Sequence, residues 1–280
     1  MKKNVIYAAA ASLLLGLAAC SDELNGDDRF MANPNPPVQD TTGFVKRFVV
    51  EDFTGQRCTN CPSAARMLAA LKEETYGDRM ILVAMHAGGE LLSGPLRNEK
   101  AQVYMDALNL MNNPAMSVDR VFSTDGVGST WAEQIAQRST VSTPCEVTQY
   151  VSRKSEREIQ VVASVEFSDD YSSRLGVQHW ILEDSIIDIQ LDNGFLNTQY
   201  VHNHVFRDCL YEDVWGLELA GEAEGVYNAG ETYMSAPSLD YTIPDEWDVE
   251  HVSVVSFVFR YSDDDANPMA EIVQANIVHL

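Results

Sequence analysis

The most reactive pattern in this chain of 280 residues is a pair of cysteines, Cys58 and Cys61, separated by two residues. Two thiols at this spacing can form a disulfide or exchange with the disulfide of another protein, because a thiolate attacks a sulfur atom. A β-rich segment precedes the pair, and Pro62 opens a segment of helical periodicity. A helix N-terminus stabilises a thiolate, and Arg57 adds a positive charge. We therefore predict that Cys58 is the exposed attacking thiol and Cys61 the resolving thiol.

Three other interpretations of this pair stay open at the level of sequence. The cysteines could be half of a zinc site, although tetrahedral zinc needs four ligands and no second Cys-x-x-Cys is present. They could form a purely structural disulfide, although closing about four residues removes only about 2 kcal/mol of unfolded-state entropy. They could also stand at this spacing by chance. We expect no metal site and no resident cofactor.

The segments around the cysteines predict an α/β unit over residues 45–140. Apolar, β-rich runs predict strands, helical periodicity predicts helices, and the two alternate as in a βαβ series. The predicted strands are 46–53, 80–85 and 116–122, and the predicted helices are 62–76, 98–111 and 131–138. A Cys-x-x-Cys between the first strand and the first helix of such a series resembles the thioredoxin-like fold. That resemblance implies that Asn113-Pro114 forms a cis-proline loop facing the two sulfurs, with Pro114 part of a redox site.

A second kind of cysteine chemistry is indicated at Cys20. Lys2 and Lys3 precede an apolar run that ends in Leu17-Ala18-Ala19-Cys20, a pattern typical of a bacterial lipobox. The run is too short to cross about 30 Å of hydrocarbon, so it predicts a cleaved signal peptide over residues 1–19. Acylation of Cys20 would then anchor the chain to a membrane. An ordinary secreted protein whose leader happens to end in Ala-Ala-Cys is the alternative.

Residues 20–44 predict a flexible tether between this anchor and the folded part. The stretch is acidic and rich in proline, so it buries too little apolar surface to offset its ordering entropy. Its start, Ser21-Asp22-Glu23, resembles the acidic sorting signal of some surface lipoproteins, although a merely soluble linker explains it equally well. These features predict a lipid-anchored protein of the outer membrane, exposed at the cell surface.

Charge is distributed unevenly between the two halves of the chain. Residues 141–280 hold 6 of the 19 basic residues but 26 of the 42 acidic ones. Together with the polar connector 139–144, this change predicts a domain boundary at 140–145. Such an acidic half would repel phosphate, which excludes nucleic acid as its partner and favours cations or basic partners.

The second half predicts an all-β, immunoglobulin-like sandwich over residues 145–280. Period-two alternation and short apolar runs predict strands, and Asp-, Asn- and Gly-rich turns separate them. The predicted strands are 158–167, 177–182, 199–206, 251–261 and 272–280.

Three further groups of residues could carry chemistry, each beside a simpler explanation. Cys145 and Cys209 could form a disulfide in an oxidising compartment. By closing the loop between them, such a bond would stabilise the folded state by about 4 kcal/mol in the chain-entropy model. His202 and His204 share a strand face in the predicted strand 199–206, a spacing that can bind metal but more often reflects packing. His86, after the second predicted strand, could tune the thiols or simply be a core histidine.

Several motifs together resemble the outer membrane protein 28-related lipoprotein family. They are the lipobox, the segment 53–62 with Thr-Gly-x-x-Cys-x-x-Cys-Pro, the tripeptide 118–120, and the segment 200–207 with His-Asn-His-Val. The resemblance covers the mature chain from about residue 45. It implies an outer-membrane lipoprotein built from a thioredoxin-like domain and a β-sandwich, with adhesion or receptor roles.

Two functional hypotheses follow from this sequence. In the first, the chain is a surface-anchored binding protein for an unidentified protein or ligand, and Cys58–Cys61 is a fixed disulfide. In the second, it is a thiol–disulfide oxidoreductase that acts on envelope proteins through Cys58 and Cys61. A cell-surface position offers no obvious supply of electrons or oxidant, so we favour the first hypothesis.

Overall fold

The computed structural model describes residues 44–128, 130–235 and 238–280, and the predicted signal peptide, Cys20 and nearly all of the tether lie outside them. The helices are α1 (Cys61–Leu71), α2 (Glu99–Ala107) and α3 (Thr130–Ser139), with a π-helical turn at Lys72–Tyr76 and 3₁₀ turns at Gly77–Arg79 and Val249–His251. The strands are β1 (Phe48–Thr54), β2 (Met80–His86), β3 (Ala115–Val118), β4 (Phe122–Asp125), β5 (Cys145–Arg153), β6 (Glu158–Phe167), β7 (Tyr171–Ser172), β8 (Leu175–Glu183), β9 (Ile186–Asp192), β10 (Phe195–His202), β11 (Val205–Cys209), β12 (Leu217–Glu218), β13 (Val226–Tyr227), β14 (Thr232–Met234), β15 (Leu239–Thr242), β16 (Val252–Tyr261) and β17 (Met269–His279).

A nine-stranded sheet runs through the described part of the molecule in the order β17-β16-β8-β11-β2-β1-β3-β4, with β12 added beside β8. β1 pairs in parallel with β2 and antiparallel with β3. β1 is buried along its whole length, because helices and strands cover both of its faces. The fold is therefore rich in β-structure, as expected for the second half.

Helix α1 starts immediately after the cysteine loop because its sequence suits a helix start. Pro62 lies in the first turn, where its missing N–H costs nothing. The face carrying Ala64, Leu68 and Leu71 is buried against β1 and β2, in a core that also contains Trp131 of α3. This packing fixes the direction of α1 and therefore the position of the cysteines at its N-terminus.

The second half contains two sheets packed face to face. β5, β6, β14 and β15 form a four-stranded sheet, which covers the β8, β16 and β17 part of the large sheet. Side chains of both layers, including Val147, Val165, Val177 and Val258, share one core. The alternation along β6 places its apolar residues in this interior.

The large sheet crosses the predicted boundary at 140–145, because β11 of the second half pairs with β2 of the first at Val205 and Ala84. A buried ion cluster joins the halves a second time. The Asp119 carboxylate lies 3.0 Å from the Lys46 ammonium and 2.9 Å from the Arg138 guanidinium. The backbone carbonyl of Asp119 accepts a hydrogen bond from the N–H of Ile272 in β17. The halves therefore share a sheet and an interior.

The structure corrects two predicted strands. Residues 116–122 do not form one strand, because Asp119 and Arg120 adopt φ angles of 47° and 63°, which turn the chain into the β3–β4 hairpin. Residues 199–206 are likewise split. His204, with φ of 57°, separates β10 in a two-stranded sheet from β11 in the large sheet.

Other differences concern element ends and omissions. The second helix ends at Ala107 rather than 111, since Asn109 has a φ of 54°. Strands β5 and β9 and the short strands β7 and β12–β15 were not predicted. Within the described residues, no helix combines the length and apolarity needed to cross a membrane.

Candidate functional site

The Cys-x-x-Cys loop lies between β1 and α1, as predicted, and Cys58 and Cys61 are joined in a disulfide with Cα atoms 5.5 Å apart. Cys61 is the first residue of α1, and Cys58 precedes it in a turn. The prediction that Cys58 is exposed is wrong for this structure, because Cys58 is 4% exposed and Cys61 1%. Arg57 is exposed.

The hairpin formed by β9 and β10 covers this loop. Its turn is Asn193-Gly194, and both residues have positive φ angles, 48° and 84°. Asn-Gly is the preferred pair for such a two-residue turn, because its twist matches that of the flanking strands. The hairpin is its own two-stranded sheet, so its position depends on contacts with the cysteine loop and α1.

Hydrogen bonds fasten β9 along the cysteine loop. The Leu191 N–H donates to the backbone carbonyl of Gln56 at 2.7 Å. The side-chain amide of Gln56 donates to the backbone carbonyl of Ile189 at 3.0 Å. The Gln190 amide nitrogen lies 3.2 Å from the Cys58 carbonyl and 3.3 Å from that of Gly55.

The hairpin turn continues the same contact. Thr59 accepts the Asn193 N–H on its carbonyl and the Gly194 N–H on its hydroxyl, at 3.2 and 2.8 Å. Arg66 of α1 and Asp192 of β9 form an ion pair at 3.1 Å, which joins the hairpin to α1. The hairpin therefore forms hydrogen bonds with Gly55, Gln56, Cys58 and Thr59 of the cysteine loop. The exposed Arg57 is the exception.

A cleft of about 250 Å³ lies beside the disulfide, between α1, the β1–β2 pair and the hairpin. Polar side chains from distant parts of the chain meet in it. Its lining includes Asp52, Thr54, Cys61, Arg66, Glu73, His86, Gln190, Tyr200, His202 and His204.

Asp52 is the unusual group in this cleft. It is 3% exposed, and its Oδ1 has no hydrogen-bond partner among the described residues. Burial without a compensating charge disfavours the carboxylate, so it raises the pKa of Asp52 to about 7. A carboxyl that titrates near neutral pH, in the same cleft as Cys61, can accept or donate a proton during thiol chemistry.

Two histidines of the cleft, His86 and His202, are neutral at neutral pH. Burial, helped by His202 and Arg207, lowers the pKa of His86 to about 3, and burial also lowers the pKa of His202. The two rings lie edge to face with centroids 5.3 Å apart. His204 pairs instead with Asp184 at 3.0 Å. No group of three or more metal-ligating side chains occurs in the part of the chain that the structure describes.

Pro114 follows a cis peptide bond from Asn113, as the resemblance implied. It directly precedes β3, whose first residue, Ala115, pairs with Phe53 near the end of β1. Because the cysteine loop leaves the same end of β1, Pro114 and the disulfide lie at the same edge of the sheet.

The possible Cys145–Cys209 disulfide is not formed in this structure. Both cysteines are free and buried. Cys145 packs in the sandwich core with Val147, whereas Cys209 lies in the separate core around Trp180. Burial raises the pKa of both thiols, that of Cys145 to about 12, so neither is a reactive thiolate.

Sequence reasoning missed Asp52 and Gln190 as site residues. Gln190 had a usable signal, since Ile187, Ile189 and Leu191 alternate with polar residues just before Asn-Gly, which is typical of a hairpin. Asp52 had only a weak one, since it is one of two adjacent acids, Glu51 and Asp52, inside an otherwise apolar strand.

Comparisons with known proteins agree with this architecture. A family model described as outer membrane protein Omp28 matches residues 101–279, more than half of the chain. The fold is similar to that of HBP35 of Porphyromonas gingivalis, with a TM-score of 0.66 and 18% identity over 85% of this chain and 76% of that one. A domain of the outer membrane lipoprotein Omp28 from Porphyromonas gingivalis matches with a TM-score of 0.32 and 17% identity, over 49% of this chain and 88% of that one.

No curated protein matches the sequence significantly. At 18% identity, the likeness to HBP35 concerns the fold alone. The family match extends from residue 101 in α2 across β3, Asp119 and Arg138 of the buried ion cluster, and the second half as far as residue 279. This chain therefore belongs to the outer membrane protein Omp28 family, which confirms the family resemblance and the outer-membrane location predicted from its sequence.

Proposed function

We propose that this chain is a lipid-anchored binding protein of the outer membrane, in which Cys58–Cys61 is a fixed disulfide. The observation that carries the proposal is the β9–β10 hairpin fastened over the cysteine loop. Thiol–disulfide exchange requires a thiolate to approach one sulfur atom directly. Both cysteines are buried, so the hairpin must move before an external thiolate reaches them.

The proposed architecture is a thioredoxin-like unit over residues 45–140 followed by an immunoglobulin-like sandwich over 145–280. Support for the first is the βαβαββα order, the cysteine pair at the start of α1 and the cis-proline before β3. Support for the second is the packing of two β-layers around one core. Because the halves share a sheet, we propose that they unfold together rather than separately.

Oxidoreductase activity is the second candidate, and Asp52 is the observation that favours it. An unpaired carboxyl with a pKa near 7 in the cleft beside Cys61 is suited to proton transfer with that thiol. Such activity would require the hairpin to open in each cycle. The two candidates therefore differ in how readily the disulfide is reduced.

Weakening the hairpin contacts should make the disulfide reducible. We expect Arg66→Ala combined with Gln190→Ala to speed reduction of Cys58–Cys61 by dithiothreitol roughly 10- to 100-fold. The substitutions remove one exposed ion pair with α1 and two hydrogen bonds to the cysteine loop, together worth about 2 kcal/mol. The rate is measured by maleimide labelling and mass spectrometry at several times. Lys154→Ala, which breaks the remote ion pair with Asp240, is the matched control and should not change the rate.

The reduction rate of the wild-type protein, together with an insulin-reduction assay, separates the two candidates. A fixed disulfide predicts slow reduction of the wild-type protein and negligible turnover with insulin as the disulfide substrate. Wild-type turnover that disappears in Cys58→Ser would contradict the proposal and support the oxidoreductase.

The lipid anchor is proposed from the sequence alone, since Cys20 precedes the described residues. Cys20→Ala should release most of the protein from the membrane fraction, because it removes the acylated residue. The amount in membrane and soluble fractions is measured by immunoblotting, with Ser21→Ala as the control. Equal fatty-acid labelling of wild type and Cys20→Ala would refute the anchor.

A further inference from the structure

The cleft beside the disulfide has an acid in its floor and small side chains in one wall. Asp52 of β1 pairs with Ala84 of β2, and both line the cleft on the face of the sheet that α1 covers. Helix α1 contributes Ala65 and Ala69, whose short side chains leave space between helix and sheet. The volume of about 250 Å³ equals that of about eight water molecules in the liquid, so a ligand of several non-hydrogen atoms fits.

Asp52 is a buried acid that nothing in the described chain neutralises. Its Oδ1 lacks a hydrogen-bond partner there, and no neighbouring charge offsets its burial. Buried carboxylates are normally paired, because taking an isolated charge out of water is costly. The other acids among the buried described residues, Glu51, Asp119 and Glu183, each have an arginine within 3.3 Å. Asp52 therefore lacks the cation that these three acids possess.

A row of rings lines the cleft on the side of the hairpin. The His202 ring lies between those of Tyr200 and His86, with centroids 4.7 and 5.3 Å away. Burial raises the pKa of Tyr200 and the charge of Asp52 contributes to the rise, so phenol and carboxylate lie near each other. The face of a tyrosine ring attracts a cation, and neutral histidines do not repel one.

We propose that this cleft binds a primary alkylammonium, whose N–H groups donate to Asp52 while its carbon chain packs against Ala65 and Ala69. The ammonium brings both the missing counter-charge and three hydrogen-bond donors. The site rests on the proposed binding function and gives its ligand a chemical class. A free amine and the lysine side chain of a partner protein share this chemistry.

The other charged groups around the cleft are compatible with a cationic ligand. Glu73 of α1 adds an acid on the solvent side. The basic groups are already paired with acids, Arg66 with Asp192, His204 with Asp184, and Arg207, which lies outside the lining but acts on His86, with Glu183. A carboxylate or phosphate ligand would meet Asp52 without a free cation. A metal ion would find no group of three ligating side chains in the described chain.

Binding should weaken as the pH falls, because a proton competes with the ammonium for Asp52. Burial raises the pKa of Asp52 to about 7, whereas an alkylammonium stays charged from pH 6 to pH 8. We therefore expect the dissociation constant to be about tenfold larger at pH 6 than at pH 8. His204 also lines the cleft, so His204→Asn, which suits the positive φ at that position, is the control and should keep this ratio.

Isothermal titration calorimetry of the full-length, oxidised protein in detergent tests the site, with pentylamine as the probe. We expect saturable binding at pH 8, and roughly tenfold or more weaker binding of 1-pentanol and of pentanoate. Asp52→Asn should weaken pentylamine binding by a similar factor. Ala69→Leu, which extends an apolar side chain into the cleft, should weaken it without changing any charge. Glu133→Gln, on the remote helix α3, should bind like the wild type.

A parallel titration with Nα-acetyl-lysine amide identifies the source of the ammonium. Binding at least as tight as that of pentylamine assigns the site to a lysine side chain, and binding of pentylamine alone assigns it to a free amine. No binding of pentylamine at pH 8, equal binding of 1-pentanol, or unchanged binding by a folded Asp52→Asn variant would overturn the ammonium site. Mass spectrometry confirms the Cys58–Cys61 disulfide before each titration. A negative titration without insulin turnover would therefore reject this ligand alone, whereas insulin turnover would reject the proposed function.

Discussion

Arg120→Met should destabilise the protein by about 3–5 kcal/mol, because it leaves a buried carboxylate without its partner. The Arg120 guanidinium lies 2.7 Å from the Glu51 carboxylate, and both side chains are inaccessible to solvent. It also lies over the Tyr104 ring, 4.4 Å from the centroid. Methionine keeps much of the apolar contact with this ring but removes the charge. Urea denaturation followed by tryptophan fluorescence measures the change in unfolding free energy.

The pH dependence identifies Glu51 as the cause of the loss. Burial raises the pKa of Glu51, and Arg120 opposes this rise. Without Arg120 the folded-state pKa rises further above its unfolded value. A raised pKa favours the folded state at low pH, and that contribution is lost as pH increases. The deficit of Arg120→Met relative to wild type should therefore be larger at pH 8 than at pH 5.

The double variant Glu51→Leu with Arg120→Met is the matched control. Replacing both members of a buried pair with apolar residues is often neutral, whereas removing one partner is costly. We expect the double variant to be more stable than Arg120→Met alone, with no extra loss at pH 8. If the single and double variants are equally unstable at both pH values, the ion pair is not the cause.

Asp52→Asn should stabilise the protein at alkaline pH by up to about 4 kcal/mol. The folded-state pKa of Asp52 is about 7, compared with 3.8 for an ordinary aspartate. In the unfolded chain Asp52 ionises above pH 4, whereas in the folded protein it stays protonated to about pH 7. The wild type therefore loses stability as pH rises across this interval, and the loss is complete above pH 7.

Asparagine cannot ionise, so the variant should lose less stability between pH 4 and pH 7. Urea denaturation of wild type and Asp52→Asn at pH 4.5, 6 and 8 gives the comparison. Glu133→Gln removes an exposed carboxylate of α3 and serves as the control, for which no such difference is expected. Parallel curves for wild type and Asp52→Asn would mean that Asp52 is not held in a raised-pKa state.

The sequence alone determined the local features of this protein. Pro62 and the apolar spacing of α1 locate the helix at the cysteine pair, and the alternation along β6 identifies a strand of the sandwich. These features depend on contacts within one element, and the period at which its apolar side chains recur is visible in the order of its residues. The family membership was also evident from short motifs, because they are contiguous in the chain.

Only the tertiary structure decided how the site is closed. The hairpin that covers the disulfide begins 125 residues after Cys61, at Ile186, and the Gln190 side chain reaches Cys58 through a backbone carbonyl that any residue could offer. Asp52 becomes unusual only because α1 and the hairpin enclose it without supplying a partner. Cys145 and Cys209 could have paired by sequence, but they pack into different cores. Periodicity specifies which face of an element is buried, whereas the partner of that face is set by long-range packing.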